Sequence, residues 1–162
     1  MNPKDIQIAL ERPDQSDVLA LLSALDHYLG QLYPSEANHL LDPAALLAPE
    51  VSFHVARSQG RVVATGAVRR MAGGPDTQGE AYGEVKRMVV DPAWRRLGVA
   101  ARMLAELERS LREAGLKLAL LETGAAQTEA VGLYERCGYR RRHAFGGYPD
   151  NGLSLFYAKR LD

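Results

Sequence analysis

One segment, from Glu84 to Leu104, constrains this chain more than any other. It reads Glu84-Val85-Lys86-Arg87-Met88-Val89-Val90-Asp91-Pro92-Ala93-Trp94-Arg95-Arg96-Leu97-Gly98-Val99-Ala100-Ala101-Arg102-Met103-Leu104. An extended run stops at Asp91-Pro92, a short turn rich in arginine and glycine follows, and a helical pattern begins straight after it. That order gathers backbone N–H groups, a helix N-terminus, Arg95 and Arg96 at one point. Unpaired N–H groups and the positive end of a helix dipole both favour anions, so the turn is expected to bind phosphate oxygens.

The flanking sequence supplies elements for a sheet to hold that turn. Ile6 to Leu10 reads as a strand, and Pro13-Asp14 opens a helix with Val18, Leu21, Leu22, Leu25 and Leu29 at helical spacing, ending near Gly30. After a turn at Tyr33-Pro34-Ser35-Glu36, a second helix is expected from about Asp42-Pro43, with aspartate as cap. Phe53 to Ala64 reads as a hairpin turning at Arg57–Arg61, and Met71 to Gly83 as a surface loop. The helix after the phosphate turn should bury Ala100, Met103, Leu104, Leu107 and Leu111, show Arg102, Glu106, Arg109 and Glu113 to water, and stop at Gly115. Leu116 to Leu121 is an interior strand, a helix through Ala130, Val131, Leu133, Tyr134 and Cys137 stops at Gly138, and strands at Tyr139–Phe145 and Ser154–Lys159 close the chain. With no linker, repeat or low-complexity segment, residues 1–162 are expected to form one domain.

Charge narrows the ligand. Lys+Arg and Asp+Glu both total 20, so the basic surplus of a nucleic-acid protein is missing. Between Glu84 and Leu104, however, five bases face two acids, which suits a small anion better than a polyanion. The lone cysteine, Cys137, allows no internal disulfide, and the polar N-terminus has no signal-peptide core. No apolar stretch is long enough to span a bilayer, so a cytoplasmic protein without membrane partners is expected. His27, His39, His54 and His143 are scattered without ligand spacing, so no metal site is expected.

The order β-α-α-β-β-β-α-β-α-β-β with a phosphate turn between fourth strand and third helix resembles the GNAT superfamily of N-acetyltransferases. Arg95-Arg96-Leu97-Gly98-Val99-Ala100 fits the family signature of Gln or Arg, two variable residues, Gly, one variable residue, then Gly or Ala. Met88-Val89-Val90-Asp91-Pro92 fits its strand-and-bulge lead-in, and Ala130 to Tyr139 fits its late helix ending in a Gly-aromatic pair. Arg96 stands where glycine is common, and Gln127 where many members carry asparagine. The resemblance implies an α+β fold: a central, mixed but mostly antiparallel sheet of about seven strands with helices on both faces.

It also implies a chemistry. The N–H groups from Arg96 through Ala101, with the charges of Arg95 and Arg96, would hold the pyrophosphate of acetyl-CoA, across Leu97, Gly98, Val99 and Ala100. Met88, Val89 and Val90 would pair with the pantetheine as an added strand, and Gln127 could bond it. An N–H of Val89 or Val90 would polarise the thioester carbonyl. Glu84 lies where several family members place a general base; by strand alternation it would share a face with Lys86, Met88 and Val90, and an ordinary ion pair with Lys86 or Arg87 is the competing reading. Tyr134 is the candidate acid for the CoA sulfur, against plain core packing. Glu122-Thr123-Gly124 ends a strand near the thioester position, although Thr123 serves equally well as a helix cap. Cys137 reads as a small buried hydrophobe, Trp94 as a cap on the core, and Arg140 to His143 as a solvated strand. Tyr28, Tyr33, Glu36, Asn38, Tyr148, Asp150 and Asn151, with Glu122, are the candidates around the acceptor, where acids would attract a cationic amine. The leading reading is transfer from acetyl-CoA to a small-molecule amine by direct attack, with monomer or homodimer open. A protein or peptide N-acetyltransferase and a non-catalytic acetyl-CoA-binding regulator are the alternatives.

Overall fold

The computed structural model describes residues 2–33 and 42–162. Seven strands form one sheet: β1 (Ile6–Leu10), β2 (Val51–Ser58), β3 (Arg61–Met71), β4 (Tyr82–Val90), β5 (Leu118–Gly124), β6 (Arg140–Arg142) and β7 (Ser154–Arg160). Their spatial order is β1-β2-β3-β4-β5-β7-β6, antiparallel throughout except for the parallel pair β4–β5. Among the described residues three α-helices accompany it: α1 (Ser16–Leu32), α2 (Val99–Glu113) and α3 (Thr128–Arg136).

α1 covers one face, where Val18 and Leu22 pack with Leu46, Phe53, Val55 and Ala67. α2 and α3 cover the other, where Met103, Leu104, Leu107, Leu111 and Tyr134 pack on Ala64, Val68, Val85 and Leu121. Each of these fully covered leucines contributes on the order of 2 kcal/mol through apolar burial. Gly83 lets α2 press close to the sheet, since a Cβ there would overlap Leu111. Gly115 ends α2 at φ +80° and Gly138 follows α3 at φ +93°, the left-handed stops expected of them.

Three expectations need correction. No second helix begins at Asp42: its carboxylate does accept from Ala45 N at 2.8 Å, but only a 3-10 turn, Ala45–Leu47, follows. Pro49 lacks an N–H and biases Ala48 away from the helical region, so the chain turns into β2 instead. The surface loop is shorter than read, since β3 runs to Met71 and β4 starts at Tyr82. On α2, Glu108 is buried beside the expected apolar residues, accepting from Tyr139 Oη at 3.0 Å and Lys159 Nζ at 2.9 Å. Ala100 is only half-buried and is a wall residue of the site rather than a core position.

Candidate active site

The site begins where the sheet splits. β4 and β5 pair only at Gly83–Ala119 and Glu84–Leu120. Beyond that point β4 continues against β3 and β5 against β7, so the two strands leave a gap between them. A β-bulge shapes the β4 side. Lys86 pairs with Ala67 and Val89 with Thr65, leaving Arg87 and Met88 opposite Gly66 alone. Arg87 takes φ +55°, and its carbonyl accepts from the buried Thr65 hydroxyl at 2.9 Å. Gly66 makes the bulge possible on the core side, because a Cβ there would lie 2.7 Å from Met103 Cγ and 3.0 Å from Met88 Sδ.

One extra residue inverts the strand's alternation. Met88 and Val90 turn to the α2 face with Val85, while Val89 packs toward α1. Glu84 therefore stays on Lys86's side of the sheet but does not share a face with Met88 and Val90. Simple alternation fails here because a bulge has no hydrophobic signature.

The turn after β4 is as an anion site requires. Asp91 accepts from Ala93 N at 2.9 Å, a 3-10 turn follows at Pro92–Trp94, and Trp94 anchors it in the core. Arg96 then takes φ +63° and Gly98 φ +80°. The first α2 bond runs from Arg102 N to Gly98 O at 3.1 Å. Among the described residues, the six N–H groups of Arg96 through Ala101 have no acceptor. Gly98 carries no Cβ, and nothing lies within 4 Å of where one would be.

These elements wall a cleft of roughly 910 Å³. Met88, Val89, Val90, Arg95, Arg96, Gly98, Val99, Ala100, Ala101, Gln127 and Tyr134 all line it. Leu97 does not; it contributes its backbone to the turn while its side chain is exposed. Tyr28, expected near the acceptor, lines this cleft instead, as does Cys137, whose thiol burial pushes up. Arg96 lies 3.6 Å from Glu129 across the opening, in a fully solvated pair.

A smaller recess of about 90 Å³ adjoins the cleft, and Met88, Gln127 and Tyr134 belong to both. Tyr134 is buried against Tyr139, edge to face at 5.9 Å. Its hydroxyl has no hydrogen-bond partner among the described residues. Burial first, then the Glu122 and Cys137 charges, raise its pKa well above the tyrosine range. Glu122 is in the recess wall and accepts from Ser154 Oγ at 2.6 Å. Thr123 lines the recess too, and the residue preceding α3 is Gln127, so Thr123 is no helix cap. Tyr33 lies over Gly124, its hydroxyl accepting from Ala126 N at 3.0 Å.

Glu84 is set back from this recess. It is buried, lines neither cavity, and accepts a 2.5 Å bond from Tyr148 Oη. Lys86 Nζ donates to Tyr148 Oη at 2.7 Å and stands 3.5 Å from Glu84, so the ion pair weighed as the competing reading does exist. Only Lys86 of the three is in the recess wall. The Tyr148 hydroxyl is held far above its ordinary pKa by burial and by Glu84. Tyr148 is fixed by Phe145 and Phe156 rather than exposed to an acceptor. Asp150 is exposed and Asn151 accepts from Leu153 N; neither lines the recess. Glu36, Asn38 and His39 lie outside the described residues.

Sequence reasoning missed Leu25, Ser154 and Arg87 in these walls. Ser154 arrives by cross-strand pairing with Gly124, which only topology fixes. Arg87, buried and paired with Asp26 of α1, stood inside the quoted motif, but its direction depends on the bulge.

A turn of N–H donors at the start of α2, opening on a split β4–β5 pair with the Tyr134 phenol where cleft and recess meet, is the geometry of an acyl-CoA-dependent transferase. The chain belongs to the acetyltransferase (GNAT) family, whose profile matches residues 18–139. It is 45% identical to an IAA acetyltransferase of Azospirillum brasilense over 97% of this chain and 99% of that one. A Klebsiella pneumoniae structure assigned as an acyl-CoA N-acyltransferase superposes at TM-score 0.77 with 32% identity, covering 97% of this chain and 98% of the other. The fold is shared with an aminoglycoside 6'-N-acetyltransferase complexed with coenzyme A, at TM-score 0.69, 16% identity and coverage of 96% and 97%. The protein is thus an acetyltransferase, and members of this family use acetyl-CoA.

Proposed function

We propose that the chain, as a single catalytic domain, moves an acetyl group from acetyl-CoA to a primary amine of a small molecule by direct attack in a ternary complex. The observation that carries the reading is the run of six N–H groups, Arg96 through Ala101, that have no acceptor among the described residues and open a cleft lined also by Tyr134. A diphosphate meets those donors at the positive end of α2, with Arg95 and Arg96 adding charge and Gly98 leaving room for close approach. The pantetheine lies along the open edge of β4 at Met88, Val89 and Val90, within reach of Gln127. An N–H of Val89 or Val90 polarises the thioester carbonyl.

The reaction forms a bond from the amine nitrogen to the acetyl carbonyl carbon and breaks the carbon–sulfur bond. Tyr134 protonates the departing sulfur, a role suited to a hydroxyl that burial keeps protonated. The amine proton passes to Glu84 through Lys86 and Tyr148, the two groups that link this carboxylate to the recess. A second reading has a specific observation in its favour: Glu122 lines the recess itself and could take the proton directly. The small recess, walled by α1, β4, β5, α3 and β7, favours a small acceptor over a polypeptide. Release of free CoA against a panel of amines tests the activity. A pH–rate series on Glu84→Gln and Glu122→Gln then identifies the base. The base variant should lose on the order of a hundredfold below neutral pH and recover partly at high pH, where the amine arrives deprotonated. A profile of unchanged shape in both would remove both carboxylates from the proton path.

A further inference from the structure

The recess has two kinds of wall. β5 and β7 supply Glu122, Thr123 and Ser154, and β4 supplies Lys86 and Arg87 between Val85 and Met88, whereas α1 and the residue after it supply the apolar Leu25 and Leu29 and the ring of Tyr33. Among the described residues, Tyr33 stands at the end of this α1 wall. Its ring is seated so tightly on Gly124 that a Cβ at position 124 would overlap the phenolic oxygen. The hydroxyl accepts from Ala126 N at 3.0 Å, which clamps the ring across the end of β5. Only glycine at 124 leaves room for this arrangement, and the recess behind it is limited to about 90 Å³.

From these contacts we infer that Tyr33, clamped over Gly124, limits the length of the acyl group the enzyme transfers and confines it to acetyl. The inference rests on the reading of the recess as the place where the thioester reacts. A thioester positioned at Met88 and Tyr134 sends its alkyl chain along the α1 wall, because β5 and β7 present a carboxylate and hydroxyls and β4 presents Lys86 and Arg87. The phenol stands in the path of a longer chain. Moving it would break the bond to Ala126 and lift the ring from Gly124, and nothing in an alkyl chain replaces either contact.

The test is kcat/KM for acetyl-, propionyl- and butyryl-CoA with one amine, in wild type, Tyr33→Ala and Tyr33→Phe. Wild type should fall on the order of tenfold or more per added methylene, as a pocket of fixed size dictates. Tyr33→Ala should flatten the series to within about threefold, while Tyr33→Phe, which keeps the ring, should retain the steep fall. General damage to the fold lowers all three substrates alike and leaves their ratio unchanged, so the ratio reports the barrier alone. If Tyr33→Ala does not fold, Tyr33→Leu must shift the ratio in the same direction. A wild type that uses butyryl-CoA as well as acetyl-CoA overturns the inference, as does a ratio unmoved by the Ala or Leu variant. Acetyl transfer with an unmoved ratio sinks only this assignment of Tyr33. Failure of every acyl-CoA with every amine would instead remove the transferase reading of the recess.

Discussion

Replacing Tyr134 by phenylalanine separates chemistry from packing in one atom. The ring makes the contacts: it packs in the core of α2 and α3 and meets Tyr139 at 5.9 Å. The hydroxyl makes none among the described residues. Its removal therefore breaks no hydrogen bond among the described residues, and the stability change should stay within about 0.5 kcal/mol. Binding of acetyl-CoA, which we propose the turn and the β4 edge hold, should shift by less than about threefold. Turnover is another matter. Loss of a positioned acid costs on the order of 10²–10⁴ in rate, or about 3–5 kcal/mol in the barrier. Because burial raises the Tyr134 pKa, the hydroxyl keeps its proton across the neutral range, and the deficit should be constant there. Steady-state release of CoA gives kcat, calorimetric titration gives Kd, and a urea melt gives stability. A variant turning over within about twofold of wild type, with Kd and stability unchanged, would reduce Tyr134 to a core residue.

Two further expectations follow from the same geometry. Gly98→Glu has open space for its side chain but sets a non-glycine residue at φ +80° and a carboxylate inside the proposed diphosphate site, so calorimetry should detect no acetyl-CoA binding in a protein destabilised by about 1–2 kcal/mol. Binding at the wild-type level would move the pyrophosphate elsewhere. The pKa values of Tyr134, Tyr139 and Tyr148 are all raised, chiefly by burial, so their neutral forms are favoured in the folded state. That contribution is complete below the unfolded tyrosine value of about 10 and drains as pH rises above it, by about 1.4 kcal/mol per pH unit for each. Urea midpoints that stay flat through about pH 11 would contradict the burial of these phenols.

The sequence alone determined the parts whose cause is local. The phosphate turn is legible because Asp91-Pro92 must end a strand and Gly98 must begin a helix whatever surrounds them. The amphipathic face of α2 and the stops at Gly115 and Gly138 follow from periodicity and left-handed backbone. Most residues assigned to the cleft line it because they belong to one contiguous segment around the turn, whereas Gln127 and Tyr134 reach it from α3 and the residue before it.

The acceptor end is different, since its walls come from five elements, α1, β4, β5, α3 and β7, brought together by the sheet. Tertiary structure alone decided that Glu84 lies behind Tyr148, that Glu122 and Ser154 meet in the recess, and that Tyr33 closes over Gly124. Each of these rests on pairings between residues dozens of positions apart, for which no local pattern exists. The bulge at Arg87 is the sharpest case. One residue too many against β3 reverses which side chains of β4 face α1 and which face α2, and no periodicity announces it.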